Sequence, residues 1–134
     1  MKKKIYIFSV TAVIFLVIDA LWLISVGTSI YQQEIGSLLK DVTILPAVIF
    51  YVLYVVGMIV FVIDPNLHKY KMHKVLLMGF LFGVVCYGTY DLTNMATLKD
   101  WSWKIVVLDM IWGGFVTMLT TGIVTHVFKE ADND

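Results

Sequence analysis

With 134 residues, 60% of them hydrophobic and only 15% charged, the chain has too little polar surface to enclose its apolar residues in a water-soluble core; soluble domains run at about 45–50% apolar and about 25% charged. Its formal net charge is zero and it has no arginine, which excludes the basic stripe of a nucleic-acid-binding protein. The composition, with a mean hydropathy of +0.86, points instead to an all-α integral membrane protein whose residues 1–134 form a single membrane domain.

Lys2, Lys3 and Lys4 precede an apolar run over residues 5–26, long enough to cross a hydrocarbon core of ~30 Å at ~1.5 Å per residue. The basic start and the small residues Ser25 and Gly27 also fit a cleaved leader peptide, but Asp19 interrupts the run and favours a retained span. Residues 27–43 read as the first loop. Tyr31, Gln32, Gln33, Glu34, Lys40 and Asp41 make it polar, Gly36 breaks it, and the pattern fits a short helix lying on the bilayer.

The second span is expected over 44–63. Pro46 falls in its first turn, where a missing N–H matters little. Asp64-Pro65-Asn66 should end it, because the residue before proline is driven out of the helical region. The next loop is basic, with Lys69, Lys71 and Lys74 beside His68 and His73. The third span covers 75–94, with a continuation toward Leu98. A short turn follows, whose Trp101 and Trp103 read as interfacial anchors. The fourth span covers 105–128, and the end of the chain over 129–134 is expected to fray.

Four antiparallel spans put Lys2, Lys3, Lys4, Lys69, Lys71, Lys74 and Lys129 on one side and Lys40, Lys99 and Lys104 on the other. The positive-inside rule then places both termini in the cytoplasm. On that topology Asp19 lies ~21 Å above residue 5, Asp91 ~24 Å above residue 75 and Asp109 ~6 Å below residue 105. All three in-span acids are thus expected in the outer half of the bilayer.

Helical periodicity groups their neighbours. Gly79, Gly83, Tyr87, Tyr90, Asp91 and Asn94 share one stripe of the third span; the glycines allow a close helix contact and the polar residues continue outward. Thr11, Phe15, Asp19 and Trp22 share a face of the first span. Asp109, Gly113, Val116 and Thr120 share one of the fourth. The second offers Phe50, Tyr54, Gly57 and Phe61, with Tyr51 nearby.

An aspartate in hydrocarbon is unfavourable by about 2.5–3.5 kcal/mol at a helix centre, and no span holds a lysine or arginine at this depth. His126 lies near the other end. The acids must be protonated, bind a cation, or accept hydrogen bonds from Tyr51, Tyr54, Tyr87, Tyr90, Asn94, Trp22 and Trp112. At least one carboxyl is expected to be neutral at pH 7. The candidate ligand site is Asp19, Trp22, Tyr54, Tyr87, Tyr90, Asp91, Asn94, Asp109 and Trp112. The bland alternative is a hydrogen-bond network that fixes helix register.

No catalytic motif assigns a reaction, and no cofactor is indicated. His68 and His73 lack the helical i,i+4 spacing and a cysteine partner, so no metal site is expected. Cys86, in an apolar run, reads as an inert buried thiol.

Asp19-Ala20-Leu21-Trp22-Leu23, the stretch from Tyr87 to Asn94, and Asp109 with Met110, Trp112 and Gly113 resemble the signatures of a bacterial membrane-protein family described as domain of unknown function 2177. Phe50, Tyr51, Tyr54 and Ala96-Thr97-Leu98 fit the same pattern, and the resemblance covers nearly the whole chain. It implies an antiparallel four-transmembrane-helix bundle in the bacterial cytoplasmic (inner) membrane. It implies no activity, cofactor or catalytic residue.

Three functional classes remain open. The first is an outward-facing carboxylate and aromatic pocket that binds or transports a proton or small cation, for which a homodimer would supply a full path across the bilayer. The second is a membrane enzyme acting on a lipid or isoprenoid, with paired carboxylates as general acid and base. The third is a non-catalytic assembly subunit that uses Gly79 and Gly83 for contact.

Overall fold

In hydrocarbon every backbone N–H and C=O must be paired within the segment, so an apolar spanning run has to become a helix. The computed structural model describes residues 2–40, 43–69 and 71–129, and among these every regular element is helical. The α-helices are α1 (Lys2–Trp22), α2 (Thr28–Ile35), α3 (Ile44–Met58), α4 (Asp64–Asn66), α5 (Met72–Thr97) and α6 (Trp103–Phe128). Four helical runs are long and apolar enough to cross a membrane: Lys2–Leu38, Ile44–Asn66, Met72–Thr97 and Trp103–Phe128. The expected fraying over 130–134 and the expected loop position of Asp41 lie outside the described residues.

Two helices run past the points where they were expected to stop. The first does not end near Val26. A π-helical turn over Leu23–Gly27 joins α1 directly to α2, and a 3-10 turn over Gly36–Leu38 closes the run. Gly27 acts here as a packing residue, because a Cβ in its place would press on the Trp22 indole. The second helix does not stop at Asp64 either. Ile59–Ile63 forms a second π-helical turn, and Asp64 keeps helical angles (φ −54°, ψ −46°) although Pro65 follows. A π turn already replaces the i→i−4 ladder at the place where proline would break it, which is how the ring is accommodated.

The other two ends are conventional. Ser102 caps α6, its side chain accepting from the Lys104 and Ile105 N–H groups. The turn before it places Asp100 at φ 62°, a left-handed conformation that aspartate tolerates.

α5 and α6 form the closest pair, antiparallel, along the glycine row. A Cβ at Gly83 would collide with the Gly113 backbone, and one at Gly79 would collide with Thr121. Tyr87 and Phe80 lie over Gly113 and Gly114 from the same side. α1 runs antiparallel to α6 and α3, and Phe15, Tyr54, Met58 and Val116 pack into one core between them. The α3 face is rotated from its expected position. Tyr54, Val55 and Met58 are buried, whereas Phe50 and Phe61 are exposed. Each of those two meets a buried or half-buried ring: Phe50 stacks on Tyr54 and Phe61 lies tilted against Phe82.

Candidate functional site

The three acids converge at one level of the bundle. Asp19 comes from the last turn of α1, Asp109 from the second turn of α6 and Asp91 from the C-terminal part of α5. Their common level follows from antiparallel packing alone, whichever side of the membrane the termini occupy.

Asp19 is fully engaged. The Tyr51 hydroxyl donates to Oδ2 at 2.8 Å and the Trp112 indole N–H donates to Oδ1 at 3.1 Å. Trp112 stacks on Trp22 with ring centroids 4.6 Å apart and planes 12° from parallel. The Trp22 N–H in turn donates to the Tyr31 hydroxyl at 3.4 Å. Tyr31 donates its own proton to Asp109 Oδ1. Polar groups therefore link Asp19 to Asp109 through two tryptophans and a tyrosine.

Asp91 is different. It is completely buried, and neither carboxyl oxygen has a hydrogen-bond partner. The groups that act on it electrostatically are the Asp109 carboxyl and the Trp101 indole. The indole N–H is itself buried without a partner. Among the described residues no lysine, arginine or histidine pairs with any of the three acids; the ion pair nearby, Lys104 with Glu34 at 3.9 Å, lies on the outer surface. A buried, uncompensated carboxylate is among the least favourable groups a fold can hold. Nor, among the described residues, are three or more His, Cys, Asp or Glu side chains grouped so as to hold a metal ion.

A cavity of about 310 Å³ reaches Asp109 from the α3 side, lined by Phe50, Cys86, Tyr87, Tyr90 and Asp109. The Tyr87 hydroxyl has no hydrogen-bond partner among the described residues, and its ring is held against Gly113 and Tyr54.

The remaining candidates sit around this core in different ways. Tyr54 is buried beside the cavity, but its hydroxyl pairs with Thr117 Oγ1 at 2.6 Å and turns away from the acids. Tyr90 is 58% exposed and meets Trp101 edge-on. Asn94, half-buried, faces the Tyr90 hydroxyl. Two residues that the sequence assigned elsewhere belong here. Tyr31, expected in a loop, bridges Trp22 and Asp109. Trp101, expected as a surface anchor, is buried against Ile35, Ile105 and Val106, while Trp103 is exposed.

The family model described as predicted membrane protein (DUF2177) matches residues 4–126. No curated protein and no solved structure matches the chain.

Proposed function

The chain belongs to the DUF2177 family of predicted membrane proteins, and we propose that it binds a proton or small cation at Asp91 and Asp109, with Asp19 as the fixed end of the same polar network. The observation that carries this reading is Asp91, buried with both oxygens unpartnered and facing a second carboxyl. Two adjacent carboxyls without a cation relieve their repulsion by holding a proton between them or by taking up a positive ligand. The donor set favours a proton, a monovalent ion or an organic cation over a chelated metal, since no three-ligand group is present among the described residues.

On this reading Asp19 keeps its partners, because Tyr51 and Trp112 each supply one of its oxygens with a donor, and Tyr31 reports on the charge of Asp109. The surroundings are a bacterial cytoplasmic membrane, both termini are cytoplasmic, and the site lies in the outer half of the bilayer. Transport across the bilayer would need a second copy, since α5 and α6 are packed backbone to backbone at Gly83 and Gly113.

Infrared titration tests the reading. In lipid and cation-free buffer, the C=O stretch of a protonated carboxyl is expected at neutral pH, and it is lost or displaced in Asp91→Asn. A small cation that competes for the site should lower its amplitude. A spectrum without that band at neutral pH in cation-free buffer removes the proposal.

A further inference from the structure

The cavity beside Asp109 is open sideways. Its lining residues do not sit at a helix end: Phe50 is six residues into α3, Tyr90 is seven before the end of α5, and Asp109 is six into α6. At ~1.5 Å per residue these positions lie ~9–11 Å below the helix termini, within the apolar part of the spans. The outer end of α3 stands off from the bundle; Ile44 through Phe50 contains no buried residue. Phe50 and Tyr90, one on each side of the opening, are both exposed.

Access from above is covered. α2 crosses the start of α6, with Ile35 packed on Trp101 and Ile105, Ser102 donating to Glu34 at 2.6 Å, and Tyr31 closing on Asp109. Trp101 also meets the Tyr90 ring at 5.8 Å. A ligand that reaches Asp109 therefore has its unobstructed route between α3 and α5, from the bilayer.

We propose that the natural ligand is a membrane amphiphile with an ammonium head group, which enters between α3 and α5, places its head at Asp109, the carboxyl of the pair that lines the cavity, and leaves its tail along the exposed outer half of α3. This rests on the carboxyl-site reading above and narrows it. Charge complementarity selects the head. The acids have no protein cation, so an ammonium group compensates them and a phosphate or carboxylate head is repelled. Phe50, Tyr87 and Tyr90 line the cavity with aromatic rings, whose π faces attract a cation. Size fits as well, because a volume near 310 Å³ holds roughly ten non-hydrogen atoms at about 30 Å³ each. That is enough for a head group and the first carbons of a chain, but not for a whole lipid. The rest of the tail lies against Pro46 and Leu53, which share the Phe50 side of α3 at helical spacing and are exposed.

Thermal unfolding in lipid nanodiscs tests this with three probes at low mole fraction: dodecylammonium, methylammonium with the same head and no tail, and dodecanoate with the tail and the opposite charge. A rise in midpoint with dodecylammonium alone is expected. Its apparent affinity should fall by about tenfold or more in Asp109→Asn. It should also fall in Phe50→Trp, which narrows the opening at a position exposed enough to tolerate the larger ring. Equal, Asp109-dependent shifts with methylammonium and dodecylammonium overturn the tailed ligand and leave the carboxyl site standing. A dodecanoate shift equal to that of dodecylammonium, or the absence of any Asp109-dependent shift while the infrared carboxyl band persists, overturns the ammonium amphiphile alone. Loss of the infrared band as well removes both proposals.

Discussion

Tyr31 shows how one residue changes the meaning of the acids. Its hydroxyl accepts from Trp22 and donates to Asp109, so it fixes the distance between α2 and α6 and leaves Asp109 one oxygen for other partners. Asp91, by contrast, has the Trp101 indole N–H near it but no hydrogen bond of normal geometry. Removing the bridge should therefore be felt in stability and in the Trp22–Trp112 stack. Tyr31→Phe is expected to lower stability by about 1.5–3 kcal/mol, the range for a hydrogen bond to a charged group. In a double-mutant cycle with Asp109→Asn, coupling of about 0.5–3 kcal/mol is expected from chemical or thermal unfolding. Additive effects would mean that the two side chains do not act on each other. The change should also disturb tryptophan fluorescence, since the Tyr31 hydroxyl is the acceptor for Trp22.

The α5–α6 hairpin is the element that sets the site's back wall. Gly83 allows the two backbones to meet, which brings Tyr87 over Gly113 and Asp91 toward Asp109. Close approach of this kind is what small residues supply between membrane helices, where lipid offers no hydrophobic driving force. Gly83→Ala has no flexible neighbour to displace, because the added carbon meets backbone atoms. It is expected to destabilise by about 1–3 kcal/mol through overpacking. Gly57→Ala is the control. Its Cβ would meet only the far edge of the Phe82 ring, at 3.0 Å, and a loss below about 1 kcal/mol is expected. A comparison of unfolding midpoints checks both, and equal losses would mean that the glycine row does not carry the hairpin. The π turn at Leu23–Gly27 does a different job: it continues the first helix while shifting its face, so that α2 covers the N-terminal end of α6.

The whole molecule has two unlike halves. Toward the termini, α1, α6 and the end of the second span close around Ile7, Met58, Ile63 and Val124. Toward the other end, the start of α3 has no buried residue and a cavity reaches Asp109. Lysine distribution predicts that the closed half faces the cytoplasm. In a Cys86→Ser background, Lys71→Cys should label with a membrane-impermeant thiol reagent only from the cytoplasmic side, and Lys99→Cys only from outside. The reverse pattern would invert the bilayer half assigned to the acids, although their convergence would remain.

The spans were legible from the sequence because each is an unbroken apolar run, and hydrocarbon allows such a run only one way to pair its backbone. The acids stood out for the related reason that charge at that depth is rare. Antiparallel connection then put Asp19, Asp91 and Asp109 at one level without knowledge of any contact. Other features depended on geometry that no local pattern carries. Nine residues at 3.6 per turn would put Tyr31 roughly 180° from Trp22. The wider π turn between them advances less per residue, and that is how Tyr31 comes to face Trp22 and Asp109 and not the lipid. Pro65 read as a stop because its local preference is clear, yet a π turn absorbed it. Sequence alone thus determined which groups must be reconciled with the membrane and at what level. Only the tertiary structure decided that each Asp19 oxygen holds a hydrogen bond and neither Asp91 oxygen does, since that depends on which donors the packing of four helices brings within 3 Å or so of each oxygen.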